Sequence, residues 1–387
     1  MSFKKWMRGG LCVLIGCLML GAGVSNHALA AKVKSISKSS LEKTEIFYFS
    51  KLPTASVTKL RMHTVQNFSY TPDMRFMFVT QEASAMSNDN IRHCCLSLCT
   101  PDETQNACKR VDYHILKNYG HSESLSVTQP DLNKMVYHIW LTSGSTKKNK
   151  FGNKITRLTY EVKYNKEGVP YGTIRHRVTL KDFKYTKVVK SKGKKKAAAL
   201  VKIKGVKTIL NRVGVTCDQE NNQICFRSNY EEGQGIYYAV YRLDKVNAYL
   251  NHLVKKKKTS GSIKKLASAQ LANIYCMKRP VGYYKSDGSA FQSYEIRNNV
   301  LYISGGILDY GKYSGGIYAI PYGIGRNSIQ WITSNSQIKK YYQIQTKKEI
   351  EGLHISEIEG NMYATFNFFN GPNASSSTLY AYRLKVN

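Results

Sequence analysis

A polar residue followed by apolar residues two and four positions later recurs five times in this chain, each time running into a turn and a second apolar stretch. The segments are QNFSYTPDMRFMFVT from Gln66, ESLSVTQPDLNKMVYHIW from Glu123, NRVGVTCDQENNQICF from Asn211, QSYEIRNNVLYIS from Gln292 and EGLHISEIEGNMYATFN from Glu351. A period of two is the signature of a strand with two different faces. Pro-Asp, Asp-Leu-Asn, Glu-Asn-Asn, Asn-Asn and Glu-Gly-Asn supply the turns, and such residues tolerate the backbone angles of tight hairpins. After a variable loop each unit offers a third alternating stretch: IRHCCLSLC, KITRLTYEVKY, GIYYAVYRLDKV, GGIYAIPYG and TLYAYRLKV. Tyr-Ala pairs at 238–239, 318–319 and 380–381 tie the last three together.

The five starting positions are 57, 88, 81 and 59 residues apart. A unit of three or four strands at the shorter spacing has the size of a propeller blade, and radial repetition of small antiparallel sheets avoids long exposed edges. A two-sheet sandwich also alternates, but it does not repeat one motif five times in order. The pattern therefore predicts an all-β fold over 44–387, a five-bladed β-propeller closed by an N-terminal strand. The chain ends on the third strand of the fifth unit, and residues 44–50, TEIFYFS, have the composition to complete that blade. Lysine-rich insertions, at about 181–207 and 245–275, are assigned to blades three and four.

Composition changes this picture in three ways. The chain carries 58 Lys plus Arg against 25 Asp plus Glu, a net charge of +33, which favours anionic partners and opposes self-association, so a monomer is expected. The first insertion holds eleven lysines, Lys194, Lys195 and Lys196 among them, and one acid, Asp182; the second holds Lys255, Lys256, Lys257 and Lys258. Such runs read either as solvated loops or as a contact surface for an anionic cell-wall polymer or lipid headgroups, and Val246 to Val254 has the spacing of a short amphipathic helix.

Residues 1–30 read as a signal peptide: Lys4, Lys5 and Arg8, an apolar run broken by glycines, then Ala28-Leu29-Ala30. Residues 31–43 read as a linker. Export makes nucleic acid an unexpected partner and disulfides the default for the seven cysteines that follow the leader. Cys217 and Cys225 flank a hairpin turn and are expected to bridge. HCCLSLCTPDETQNAC lacks paired C-x-x-C knuckles, so Cys94, Cys95, Cys99 and Cys108 read as one or two disulfides and not as a metal site. No cofactor motif is present: P-loop, dinucleotide fingerprint and HExxH are all missing from the sequence.

Chemistry is expected where the repeated polar residues meet. Inner strands of a propeller face a central channel, so Gln66, Glu123, Asn211, Gln292 and Glu351, with His121 and His63 near in sequence, form the candidate ligand-contacting ring. Glu123 and Glu351 are its two carboxylates, the minimum for acid/base glycoside hydrolysis; hydrogen bonding between blades is the competing role. YGHSESLSV comes one Gly short of G-x-S-x-G, but no helix-forming stretch follows Ser122, so a nucleophile elbow is not expected. Twenty-eight tyrosines offer stacking faces for a sugar, although most occupy strand positions. Two sequons, at Asn67 and Asn373, carry little weight.

YGHSESLSV, NKITRLTYEV and the ending EIEGLHISEIEGNMYATFNF…STLYAYRLKVN resemble the helveticin J-like family, large heat-labile (class III) bacteriocins of Gram-positive bacteria. The resemblance runs from about Gln66 onward. Gly120, His121 and Glu123 are similar to the Gly-His plus acid or amide that opens one repeat there, and Glu351-Gly352 to the Glu-Gly that opens the last. It implies a secreted or wall-associated antibacterial protein with no established catalytic centre. The lysine insertions and the cysteines depart from the family pattern. Two functional readings result: an exported propeller that binds an anionic bacterial envelope, and a glycan-binding or glycan-hydrolysing propeller using Glu123 and Glu351.

Overall fold

The computed structural model describes residues 45–85, 91–102, 104, 106–183, 185–192, 195–202, 210–230, 236–277, 291–305, 316–321, 330–334, 350–358, 361–368 and 379–386. The expected signal peptide, the linker and Lys194 lie outside these residues, as do the side chains of Asn211, Lys195, Lys196 and Cys276.

Strand β1 is Glu45–Ser50. Strands β2 (Arg61–Tyr70), β3 (Met77–Ser84), β4 (Arg92–Asp102) and β5 (Ala107–Leu116) pair in order, and so do β6 (Leu125–Thr128), β7 (Val136–Ser143), β8 (Lys154–Tyr164) and β9 (Pro170–Lys181). A separate hairpin of β10 (Tyr185–Lys192) and β11 (Lys195–Lys202) comes next. The third sheet consists of β12 (Leu210–Asp218), β13 (Gln223–Tyr230), β14 (Ile236–Arg242) and, beyond a helix and the short β15 (Ser260–Ser262), β16 (Gln270–Met277). The fourth consists of β17 (Phe291–Arg297), β18 (Val300–Gly305), β19 (Gly316–Pro321) and β20 (Gln330–Ser334). The last has β21 (Ile350–Ile358), β22 (Asn361–Phe368) and β23 (Leu379–Val386), with β1 antiparallel to β23 as its fourth member. A short parallel pairing of β1 with β5 joins this last sheet to the first.

Turn chemistry fixes the hairpins. Asn298 and Asn299 connect β17 to β18 with φ of 50° and 61°, the two left-handed residues that a tight hairpin twisted like its strands requires. The first strands β2, β6, β12, β17 and β21 each touch the next in sequence, and β21 touches β2. The core lies between neighbouring sheets. Phe78, Leu96 and Leu98 of the first sheet meet Leu125, Ile139 and Leu158 of the second, while Trp140, Ile155 and Leu180 of the second meet Val213, Val215 and Phe226 of the third. Phe49 and Ala381 of the last sheet close on Val65, Phe68 and Met77 of the first.

Three expectations are corrected. The insertions belong to different units from those assigned: the β10–β11 hairpin falls between the second and third sheets, and the second insertion, about 245–275, follows the third strand of the third sheet, lends β15 to the edge of the second sheet and runs into the fourth strand, β16. The second insertion is built as structure and not as loop. Its helix runs Leu243–Lys255, longer than the expected Val246–Val254, and buries Leu243, Val246, Leu250 and Leu253 in the core shared by the second and third sheets. That apolar face is covered by protein, so it does not present itself to a bilayer.

The third correction concerns sulfur. Cys217 and Cys225 are free thiols, and the hairpin register gives the reason: Cys225 stands opposite Thr216 and Cys217 opposite Ile224. A one-residue offset puts the two side chains on opposite faces of the sheet. Cys94, Cys95, Cys99 and Cys108 are free thiols as well, all buried on β4 and β5.

Candidate functional site

Four of the five first strands carry a one-residue β-bulge at the same place. Pairing steps from Val65–Gln81 to Asn67–Thr80 in β2, from Leu210–Tyr230 to Arg212–Asn229 in β12 and from Phe291–Gly305 to Ser293–Ser304 in β17. In β21 it steps from Ile350–Phe368 to Leu353–Phe366. The residues passed over are Gln66, Asn211, Gln292 and the Glu351-Gly352 pair, and in the second sheet Glu123 stands two residues before β6 begins. An extra residue bends the strand and re-aims its side chain, which is why bulges gather beside functional sites. Gln66 and Gln292 are only 2% and 6% exposed, yet neither side-chain Oε1 has a hydrogen-bond partner among the described residues. An unmatched buried acceptor costs about 1–3 kcal/mol.

Beside these positions lies a compact charge network. Glu123 accepts an ion pair from Arg212 Nη1 at 2.7 Å, and His121 Nδ1 is 3.2 Å from its other oxygen, too poorly angled for a hydrogen bond. His121 Nε2 stands 2.8 Å from Glu82, which also meets Arg92 at 3.2 Å and His63 at 3.5 Å. Burial opposes a charged imidazole at His121, but Glu123 and then Glu82 overcome it and raise its pKa to about 10. Burial works against both carboxylates too; Arg212 followed by His121 outweighs it at Glu123, and His121 followed by Arg92 at Glu82, so both stay below their ordinary range. His63 is lowered, mainly by burial, and is neutral at pH 7. Three cations thus face two carboxylates. The Arg212 guanidinium lies 3.8 Å from the centre of the Phe151 ring, and the His121 ring is 5.5 Å from it. Gly120 makes this packing possible: at φ +76° it sits so close to the Phe151 carbonyl that a Cβ would lie 2.2 Å from the oxygen.

One residue further along each first strand, the middle of the molecule is filled. Asn67 Nδ2 donates to the Glu123 carbonyl of the second sheet at 2.9 Å and to Ser293 Oγ of the fourth at 3.0 Å. Gly352 of the last sheet packs against the Asn67 Cα, where a Cβ would approach to 3.0 Å. Bonds from second strands to the next first strand surround this plug: Thr80 Oγ1 to the Ser122 carbonyl, Thr142 Oγ1 to Val213, Ser304 Oγ to Glu351 and Asn367 Nδ2 to Val65. Between the third and fourth sheets Tyr294 does the same, donating to the Cys225 carbonyl at 3.1 Å. The expected channel is therefore not open at the level of Asn67.

The structure brings His121 and Glu123 together as the sequence suggested. Glu82, Arg92, Arg212 and Asn67 were missed. Glu82 did leave a signal, a single acid inside the buried strand MFVTQEAS, since a buried charge demands a partner. Ser122 is buried at φ +67°, and its hydroxyl donates weakly to the Gln81 and Gly120 carbonyls, at 3.4 and 3.5 Å. Lys255, Lys256, Lys257 and Lys258 are exposed at the end of the long helix, in a different part of the molecule. Among the described residues no three His, Cys, Asp or Glu side chains are grouped so as to hold a metal ion.

No family model matches the chain, and no curated protein does. Among solved structures it is similar to a Trypanosoma rangeli sialidase, with 9% identity and a TM-score of 0.38 over 89% of this chain and 59% of that one. It is also similar to the hemagglutinin-neuraminidase ectodomain of parainfluenza virus 5, with 8% identity and a TM-score of 0.37 over 94% of this chain and 90% of that one. The chain thus spans less than two thirds of the sialidase. At these values the likeness carries no inference about ligand or chemistry.

Proposed function

We propose that the five sheets are blades of a five-bladed β-propeller closed by β1, and that the bulged ends of its inner strands form a mouth that binds a glycan without hydrolysing it. The cyclic contacts of β2, β6, β12, β17 and β21, together with the blade-to-blade bonds at five junctions, support the ring. The observation that carries the ligand class is the pair of buried, unmatched amide oxygens on equivalent bulges, Gln66 and Gln292. Sugar hydroxyls are donors and acceptors at once, so they suit planar amides held still by a scaffold.

Binding is favoured over hydrolysis by the state of Glu123. Glycoside hydrolysis pairs a carboxyl group kept protonated with an ionised partner; Arg212 and His121 hold Glu123 ionised, which takes the general-acid role from it. The test is a glycan panel presented to the intact chain. Retention of at least one glycan, weakened about tenfold in Gln66→Leu and Gln292→Leu, is expected; a panel left unbound by folded protein removes the reading. Reducing ends released from the bound glycan and abolished in Glu123→Gln would replace binding by hydrolysis. On the same reading the ligand belongs to a bacterial surface, where an exported chain of the helveticin J-like type would act. Growth inhibition of Gram-positive cells by the purified chain tests that role separately.

A further inference from the structure

Sulfur atoms from three consecutive strands converge on one face of the first sheet. Met77 of β3 stands directly opposite Cys99 of β4, so their side chains share a face. Cys99 in turn stands opposite Arg110 of β5, and Cys108 lies two residues from Arg110 along that strand, which puts it on the same face. Met77 is long enough to reach over β4, and the Cys108 thiol donates to its Sδ at 3.5 Å. All three residues are fully buried in one core cluster.

The surroundings are hydrocarbon. Phe49, Val65, Phe68 and Val79 belong to the same cluster, and of its side chains only Tyr70 carries an oxygen. Burial, followed by the nearby Cys108, raises the Tyr70 phenol well above its ordinary value, so it stays protonated. Burial and then the neighbouring Cys99 thiol raise Cys108 in the same way, and at pH 7 its thiol is uncharged. A thioether as third donor sets this group apart from the His, Cys, Asp and Glu clusters that the described residues lack.

We propose that Met77, Cys99 and Cys108 form a three-sulfur site for a soft monovalent metal ion, copper(I). Thiolate and thioether donors select that ion. Zinc sites are built from four Cys, His or carboxylate ligands, and calcium and magnesium take oxygen, so this group suits neither. Copper(I) displaces the proton of the Cys108 thiol, which leaves for solvent; a sulfur–copper bond replaces a sulfur–hydrogen bond, no electron moves and the core gains no net charge. Phe49 of β1 pairs with Cys108 in the short parallel contact between the last sheet and the first, so the ion would tie β3, β4 and β5 together just behind that contact. Met74 packs on the same cluster and is half-buried, a soft donor nearer the solvent.

The test titrates the intact, fully reduced chain with copper(I) in the absence of oxygen, against the chelator bicinchoninate to strip weakly held metal. One copper per chain is expected to resist the chelator, with thiolate-to-copper absorption in the ultraviolet and three sulfur neighbours in X-ray absorption. Met77→Leu keeps the volume and every thiol, and should weaken that copper at least about tenfold. Cys99→Ala and Cys108→Ala should each abolish it; if either fails to fold, Met77→Leu decides alone. A folded Met77→Leu chain that holds copper as tightly as the unchanged one overturns the inference, because thiols alone then account for the metal. Zinc bound as tightly as copper(I) overturns it, and so does a Cys99–Cys108 disulfide in chain purified without reductant. Glycan retention is read without copper and stands or falls separately.

Discussion

His121 is the residue whose titration sets the pH response of the candidate site. Its folded pKa, about 10, stands above the ordinary 6.5, so its stabilisation is complete below pH 6.5 and is lost as pH rises toward 10. The unfolding free energy should fall by up to about 1.4 kcal/mol per pH unit over that interval, and urea melts from pH 6 to 10 should show the slope disappear in His121→Gln. On the acid side the sign reverses. Glu82 and Glu123 are held below 4.5, so their contribution is present above that value and is lost as pH falls through the lowered pKa values. Glu123 was legible because it opens a repeated motif, and His121 because it stands two residues before it. Arg212 follows a predicted anchor, yet nothing in one sequence says that it crosses to the neighbouring sheet, because ion pairs between sheets depend on which strands become neighbours.

Among the elements, the long helix shows both how much periodicity reveals and where it stops. Leu243, Val246, Leu250 and Leu253 announce an apolar stripe, but the stripe looks the same whether it faces a membrane or a protein core. Here the core takes it. Leu250→Ala should cost about 2–5 kcal/mol, measured by chemical denaturation. The bulges were hidden for a related reason. An inserted residue shifts alternation by one step, which reads as a polar strand start until the partner strand is known. The same one-step offset defeated the Cys217–Cys225 pairing, where spacing around a turn was legible and register was not.

For the whole molecule the decisive pairing is that of β1 with β23, which joins residues more than three hundred positions apart. Strand composition in TEIFYFS marked these residues as a strand. If that pairing closes a ring, removal of residues through Ser50 should turn a single cooperative melt into a broad transition with aggregation, as the freed edges of β23 and β5 seek partners. Differential scanning calorimetry with light scattering would show it; an unchanged sharp melt would mean the sheets hold together without the strap. Asn67 bears on the shape of that ring. If the sheets form a ring, Asn67, by reaching across to Ser293, bars a through-passage at its level. A long polymer could then not be threaded through such a ring and would be grasped by a terminus or a side branch.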